Sequence, residues 1–320
     1  MAYITGDRPG LEAKIATDVV DHFSFHLDSI NVVEKITLFL YTRGGDTLAA
    51  WSLANLLRLF CNELEVVVPS KCHSAGTLMA LGTDRIVMTK QAMLGPIDPS
   101  ITTPLNPKVD DNPNSPARAS VSVEAIKGYI QLTKEELGIK DDESLAKILA
   151  ALSDKVHPLV LGQVIRTSGQ IKMLAERLLR YQVKDEKQRK KIVGFLSTET
   201  GSHDYTINRR EALGLGLNIE KPDEKLYLLI KQIYEDIREE LCLTEAYDPN
   251  LLVGEKERVD YAHARGLVES VEGGTHRFVS EGVLFRVKIP VQVPGLPVPI
   301  EQEGFHDNRK FEGWKHEKAN

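Results

Sequence analysis

Three short apolar runs constrain this chain more than any other feature. Residues 35–41 (KITLFLY), 65–68 and 85–89 each have the length of a strand, and the first is apolar on both faces. A strand with two apolar faces belongs inside a sheet covered on both sides, the usual setting of parallel strands. After the first run the period becomes helical, through Ala49, Ala50, Leu53, Leu56, Leu57 and Phe60. After the second, another apolar helical stretch runs through Leu81. Strands alternating with helices at this spacing imply βαβ units with right-handed crossovers. The expected fold class is α/β, a parallel sheet with flanking helices.

Ile15, Val19, Val20, Phe23 and Leu27 place a helix over residues 11–30, ahead of the first strand. Residues 104–116 are rich in Pro, Asn and Asp and read as an exposed loop. A helical period then holds from Ser122 to Leu196, broken at His157-Pro158. Asn208 and Glu211 fit a capping box, with Gly214 and Gly216 closing its short helix. Pro222 opens another amphipathic helix, with Leu226, Ile230, Ile233, Ile237 and Leu241 on one face. Further on, residues 267–272 and 276–280 flank Gly273-Gly274 as a hairpin would, and four prolines fall from Pro290 to Pro299. A boundary at Pro222 divides an expected main domain, residues 1–221, from a smaller α+β extension, residues 222–320.

Composition removes several classes. Forty Lys+Arg against forty-six Asp+Glu leave a formal charge of -6, the wrong sign for holding nucleic acid by its phosphates. No apolar run approaches the ~20 residues of a membrane span, and the opening MAYITGDRPGLEAK lacks the features of a signal peptide. Cys61, Cys72 and Cys242 are odd in number and unpatterned, giving neither a disulfide framework nor a cysteine-based zinc site. A soluble cytoplasmic protein is expected, with no metal or organic cofactor.

Two turns stand at the carboxyl ends of the first two strands, where open α/β sheets build their sites. In Arg43-Gly44-Gly45-Asp46 the glycines allow close backbone approach to a ligand. In His73-Ser74-Ala75-Gly76-Thr77 a serine hydroxyl meets a helix amino terminus, where negative charge is favoured. Taken singly, the first is compatible with an ordinary strand-to-helix turn and Ser74 with an N-cap. The GxSxG pattern is absent, since Cys72 stands at its first position.

Taken together, GGDTLAAWSLANLLR, HSAGTLMALGTDRIVM and AMLGPIDPS resemble the ClpP/crotonase fold. Within it they resemble the serine dehydrogenase proteinase family, related to signal peptide peptidase A. The resemblance implies Ser74 as nucleophile and the backbone N–H groups of Gly45 and Ala75 as oxyanion hole. It also implies the order Ser, Asp, His, fitted by Asp98 in Leu94-Gly95-Pro96-Ile97-Asp98-Pro99 and by His203 in Gly201-Ser202-His203-Asp204. Alternative bases are His157 and a lysine in the manner of signal peptide peptidases, Lys127 or Lys108. Lys127 sits among apolar helical neighbours, which can lower an amine's pKa.

The resulting expectation is an ATP-independent serine peptidase that cleaves peptides or unfolded chains. A crotonase-type acyl-CoA enzyme and an inactive scaffold of the same fold are the alternatives. A homo-oligomer is expected, with the helix after Pro222 offering an apolar interface or a docking face for a protein partner.

Overall fold

The structure, a computed structural model, describes residues 1–97, 100–109, 117–199, 202, 204–291 and 300–317. Alternation along the strand Val33–Tyr41 sets its layers. Leu38 and Leu40 enter one core with Phe23, Leu27, Leu53, Leu57 and Leu78. Phe39 and Tyr41, one residue out of phase, enter another with Ile230, Tyr234 and Ile237. Residues on both faces therefore need cover, and helices supply it.

Among the described residues the main sheet has eight strands, in the order Ile219–Glu220, Arg85–Met88, Cys61–Val68, Val33–Tyr41, Ala2–Thr5, Arg258–Ser270, Gly274–Val291 and Ile300–Glu317. The first five pair in parallel and the remaining pairings are antiparallel. Residues beyond Pro222 thus continue the same sheet and core. The strands at the Gly273-Gly274 turn are long, and the last two pair up to Val291 and Ile300. Residues 292–299, with Pro294, Pro297 and Pro299, lie outside the described residues.

Two expectations need correction. The helix expected over residues 11–30 is the α-helix Val20–Ile30, preceded by a 3-10 turn at Thr17–Val19. Residues 11–16 instead run as a strap. Ile15 is buried because its backbone bridges Gly45, so its place in a helical period is coincidental. The second concerns the helix after Pro222, Glu224–Glu240, which Asp223 caps by accepting from the Leu226 N–H at 2.7 Å. Ile230, Tyr234 and Ile237 are buried against the sheet, so these three are not open to a subunit, while Ile233 of the expected face is exposed. Among the described residues no single helix is long and apolar enough to cross a membrane.

Candidate active site

The strand Val33–Tyr41 hands over to its turn through Thr42. This residue is fully buried, and its Oγ1 accepts from the Gly44 N–H at 2.9 Å while lying 2.6 Å from Thr5 Oγ1. The Thr42 N–H donates to Lys71 O and its carbonyl accepts from the His73 N–H, both at 3.0 Å. That pairing sets the glycine turn beside the serine turn. Gly44 has a φ of +107°, and a Cβ there would stand 2.8 Å from the Ser74 Cβ. Gly45, at φ +150°, would bring a Cβ within 2.2 Å of Ile15 O. Only glycine fits either place. Asp46 then caps the helix Thr47–Leu59 by accepting from the Ala49 N–H at 2.6 Å.

Ser74 precedes the short helix Ala75–Leu81 with φ 53° and ψ -116°, a conformation that side-chain-bearing residues rarely adopt. Its side chain makes no capping hydrogen bond to that helix, so the N-cap reading does not apply. Thr77, fully buried, ties the turn to the next loop. Its Oγ1 lies 2.8 Å from Cys72 O and 2.9 Å from Gly95 O, and accepts from the Gly95 N–H at 3.1 Å. Burial pushes the Cys72 thiol far above its ordinary range, leaving it inert beside the serine.

Ser74, Gly45 and Ala75 line one cavity of about 820 Å³. Ile15, Leu78, Ile97 and Ile171 make part of its wall apolar. Among the described residues, neither the Gly45 nor the Ala75 N–H has a hydrogen-bond partner. Glu12 to Ala16 also line the cavity, with Lys14 and Glu12 exposed. Nothing in the local sequence marked this strap as part of a site; the helical period of Ile15 and Val19 pointed elsewhere.

Asp98 and His203 lie outside the described residues. The chain around them is placed: the strand Met93–Leu94 pairs with Lys71–Cys72 on one side and with Ile207–Asn208 on the other. Ile97 lines the cavity, and its N–H donates to Leu196 O at 2.8 Å. His157 is exposed and caps the helix Pro158–Leu178, its Nδ1 accepting from the Leu159 N–H at 3.2 Å. Lys127 is half-buried on the helix Val123–Gln131, where burial and then the nearby Lys172 lower its pKa against the pull of Glu124. Neither His157 nor Lys127 is among the residues lining the cavity. Among the described residues no His, Cys, Asp and Glu cluster could hold a metal ion.

Both turns fall within a stretch that is similar to known proteins. Residues 29–112 match the family of ClpP-like SDH-type serine proteinases. The strap, the helix Pro158–Leu178 and the C-terminal strands lie outside that match. Two uncharacterized proteins of Methanocaldococcus jannaschii are each 30% identical, over 207 and 198 residues, or 64% and 61% of this chain. The match spans 61% and 56% of those relatives' lengths. Among solved structures, a membrane-bound stomatin-specific protease in complex with a substrate peptide is 15% identical at a TM-score of 0.38, covering 72% of this chain and 78% of that one. ClpP1 from Listeria monocytogenes is 14% identical at a TM-score of 0.36, covering 70% and 94%.

Proposed function

We propose that this chain is a serine peptidase acting on peptides or unfolded chains without ATP. The observation that carries this reading is Ser74, held in a strained turn and sharing one cavity with the N–H groups of Gly45 and Ala75. In this mechanism Ser74 Oγ attacks the peptide carbonyl, and the two N–H groups receive the oxyanion of the tetrahedral intermediate. His203 takes the serine proton and returns it to the leaving amine, while Asp98 orients the imidazole and stabilises its charge. Pairing of the strands that lead to Ser74 and Asp98 and follow His203 supports this assignment. Lys127 is the alternative base: burial makes its amine easier to deprotonate, but it does not line the cavity that holds Ser74.

A serine-directed fluorophosphonate is expected to label the wild type at Ser74, and Ser74→Ala to lose both labelling and hydrolysis with an unchanged far-UV spectrum. Undiminished hydrolysis by that variant rejects the assignment, and retention of CoA by an unlabelled protein points to a crotonase-type enzyme. Replacing His203 by Ala is expected to lower kcat by at least ~10³-fold. Near-normal turnover in that variant, with an inactive Lys127→Ala, transfers the role to lysine.

A further inference from the structure

Arg265 interrupts the alternation of its own strand. In the ladder between Arg258–Ser270 and Gly274–Val291, Ala264 faces Val279 and Gly266 faces Phe278, so Arg265 is an inserted residue at a β-bulge. Bulges of this kind re-aim a side chain. Here the carbonyl of Arg265 accepts from the Gly6 N–H at 2.8 Å, and the guanidinium reaches the strap. Its Nε donates to the Leu11 carbonyl at 3.0 Å and its Nη2 to the Glu12 carbonyl. The remaining nitrogen, Nη1, lies 3.1 Å from Ser280 Oγ and 3.0 Å from the Glu312 carboxylate on the last strand. The side chain is only 15% exposed, so water competes weakly for these charge-assisted bonds.

The strap carries this anchorage to the site. The Ala13 N–H donates to Gly6 O at 2.8 Å. Ile15 then engages the glycine turn from both sides: its N–H donates to Gly44 O at 2.9 Å, and its carbonyl accepts from the Asp46 N–H at 2.7 Å. Those two bonds bracket Gly45 and fix the direction of its N–H. We infer that Arg265 is a positioning residue, through which the C-terminal strand pair holds residues 11–16 against Gly44-Gly45 and sets the oxyanion-binding geometry beside Ser74. The inference rests on the peptidase reading for its consequence in activity, but not for the clasp itself. It gives a role at the site to strands outside the family-matched stretch, with Glu312 keeping the guanidinium in place.

Hydrogen exchange read by mass spectrometry on the full chain tests the clasp directly. Arg265→Met is expected to raise exchange at residues 11–16 and 44–46 by roughly tenfold or more, as local opening does, with the helix Ala75–Leu81 keeping its protection. Fluorophosphonate labelling of Ser74 is expected to slow by roughly 10–100-fold, the scale of a small misplacement in a site. Arg265→Lys, which keeps the charge and a donor, should restore part of both. Glu312→Gln keeps the Arg265 side chain but removes the carboxylate charge that holds its guanidinium, and should loosen the same segments to a smaller degree; it carries the test if Arg265→Met does not fold. Unchanged exchange at residues 11–16, or an increase spread evenly over the sheet, overturns the proposal. If the wild type is never labelled at Ser74, the peptidase reading fails, and the exchange pattern still judges the clasp.

Discussion

A Cβ on Gly76 would stand 2.3 Å from Cγ2 of Thr42, itself fully buried beneath the glycine turn. The first turn of the helix can approach that strand end only without a side chain. Thr77 meets a different demand, because its hydroxyl serves the Cys72 and Gly95 carbonyls and the Gly95 N–H, all out of contact with water. Valine has nearly the same shape but no hydroxyl, so Thr77→Val leaves the Gly95 N–H without that acceptor. Stranding a buried polar group costs about 1–3 kcal/mol. Thr77→Val should lose that much in urea unfolding, while Thr77→Ser retains most of it. Equal stability of Thr77→Val and the wild type contradicts the role given to this hydroxyl. The SAGT motif therefore joins the strained turn at Ser74, the proposed nucleophile, to two packing conditions within four residues.

Elements with a strong period were legible in the sequence, and those defined by distant partners were not. The run KITLFLY is apolar on both faces, and the strand it forms does send side chains into two cores. The break at His157-Pro158 is a helix start, with proline at the first turn and histidine as cap. The strap failed to register because Ile15 is buried by a backbone bridge to Gly45, a contact with no local signature. The bulge at Arg265 was equally silent, since one inserted residue in a ladder depends on the register of its partner strand. The helix Glu224–Glu240 was located from its period, yet periodicity cannot say what covers an apolar face. Its buried residues meet Phe39, Tyr41, Val67 and Val87 of the sheet, nearly two hundred residues earlier in the case of Phe39 and Tyr234.

The helix Val20–Ile30 and the strands after Arg258 are joined by a polar contact at His26. His26 on the helix Val20–Ile30 is fully buried, with Nδ1 2.8 Å from Ser270 Oγ and Nε2 3.0 Å from Nδ1 of His276. While both rings are neutral, one nitrogen donates and the other accepts across that gap. With both protonated, two N–H groups face each other, and His22 and His316 add further positive charge nearby. Burial first, and these neighbours with it, lower both imidazoles from 6.5 to about 4. In the unfolded chain each takes its proton near 6.5. Between those values the unfolded state binds more protons, so stability is complete above about 6.5 and declines as pH falls toward about 4. The urea midpoint should follow that course. His26→Gln removes one titrating ring and should flatten the slope across the same window, even if it lowers stability at neutral pH. An identical slope in that variant would assign the acid sensitivity to other imidazoles that burial also lowers, His22 and His263. A flat wild-type profile down to pH 5 would mean that charging the pair costs the fold nothing.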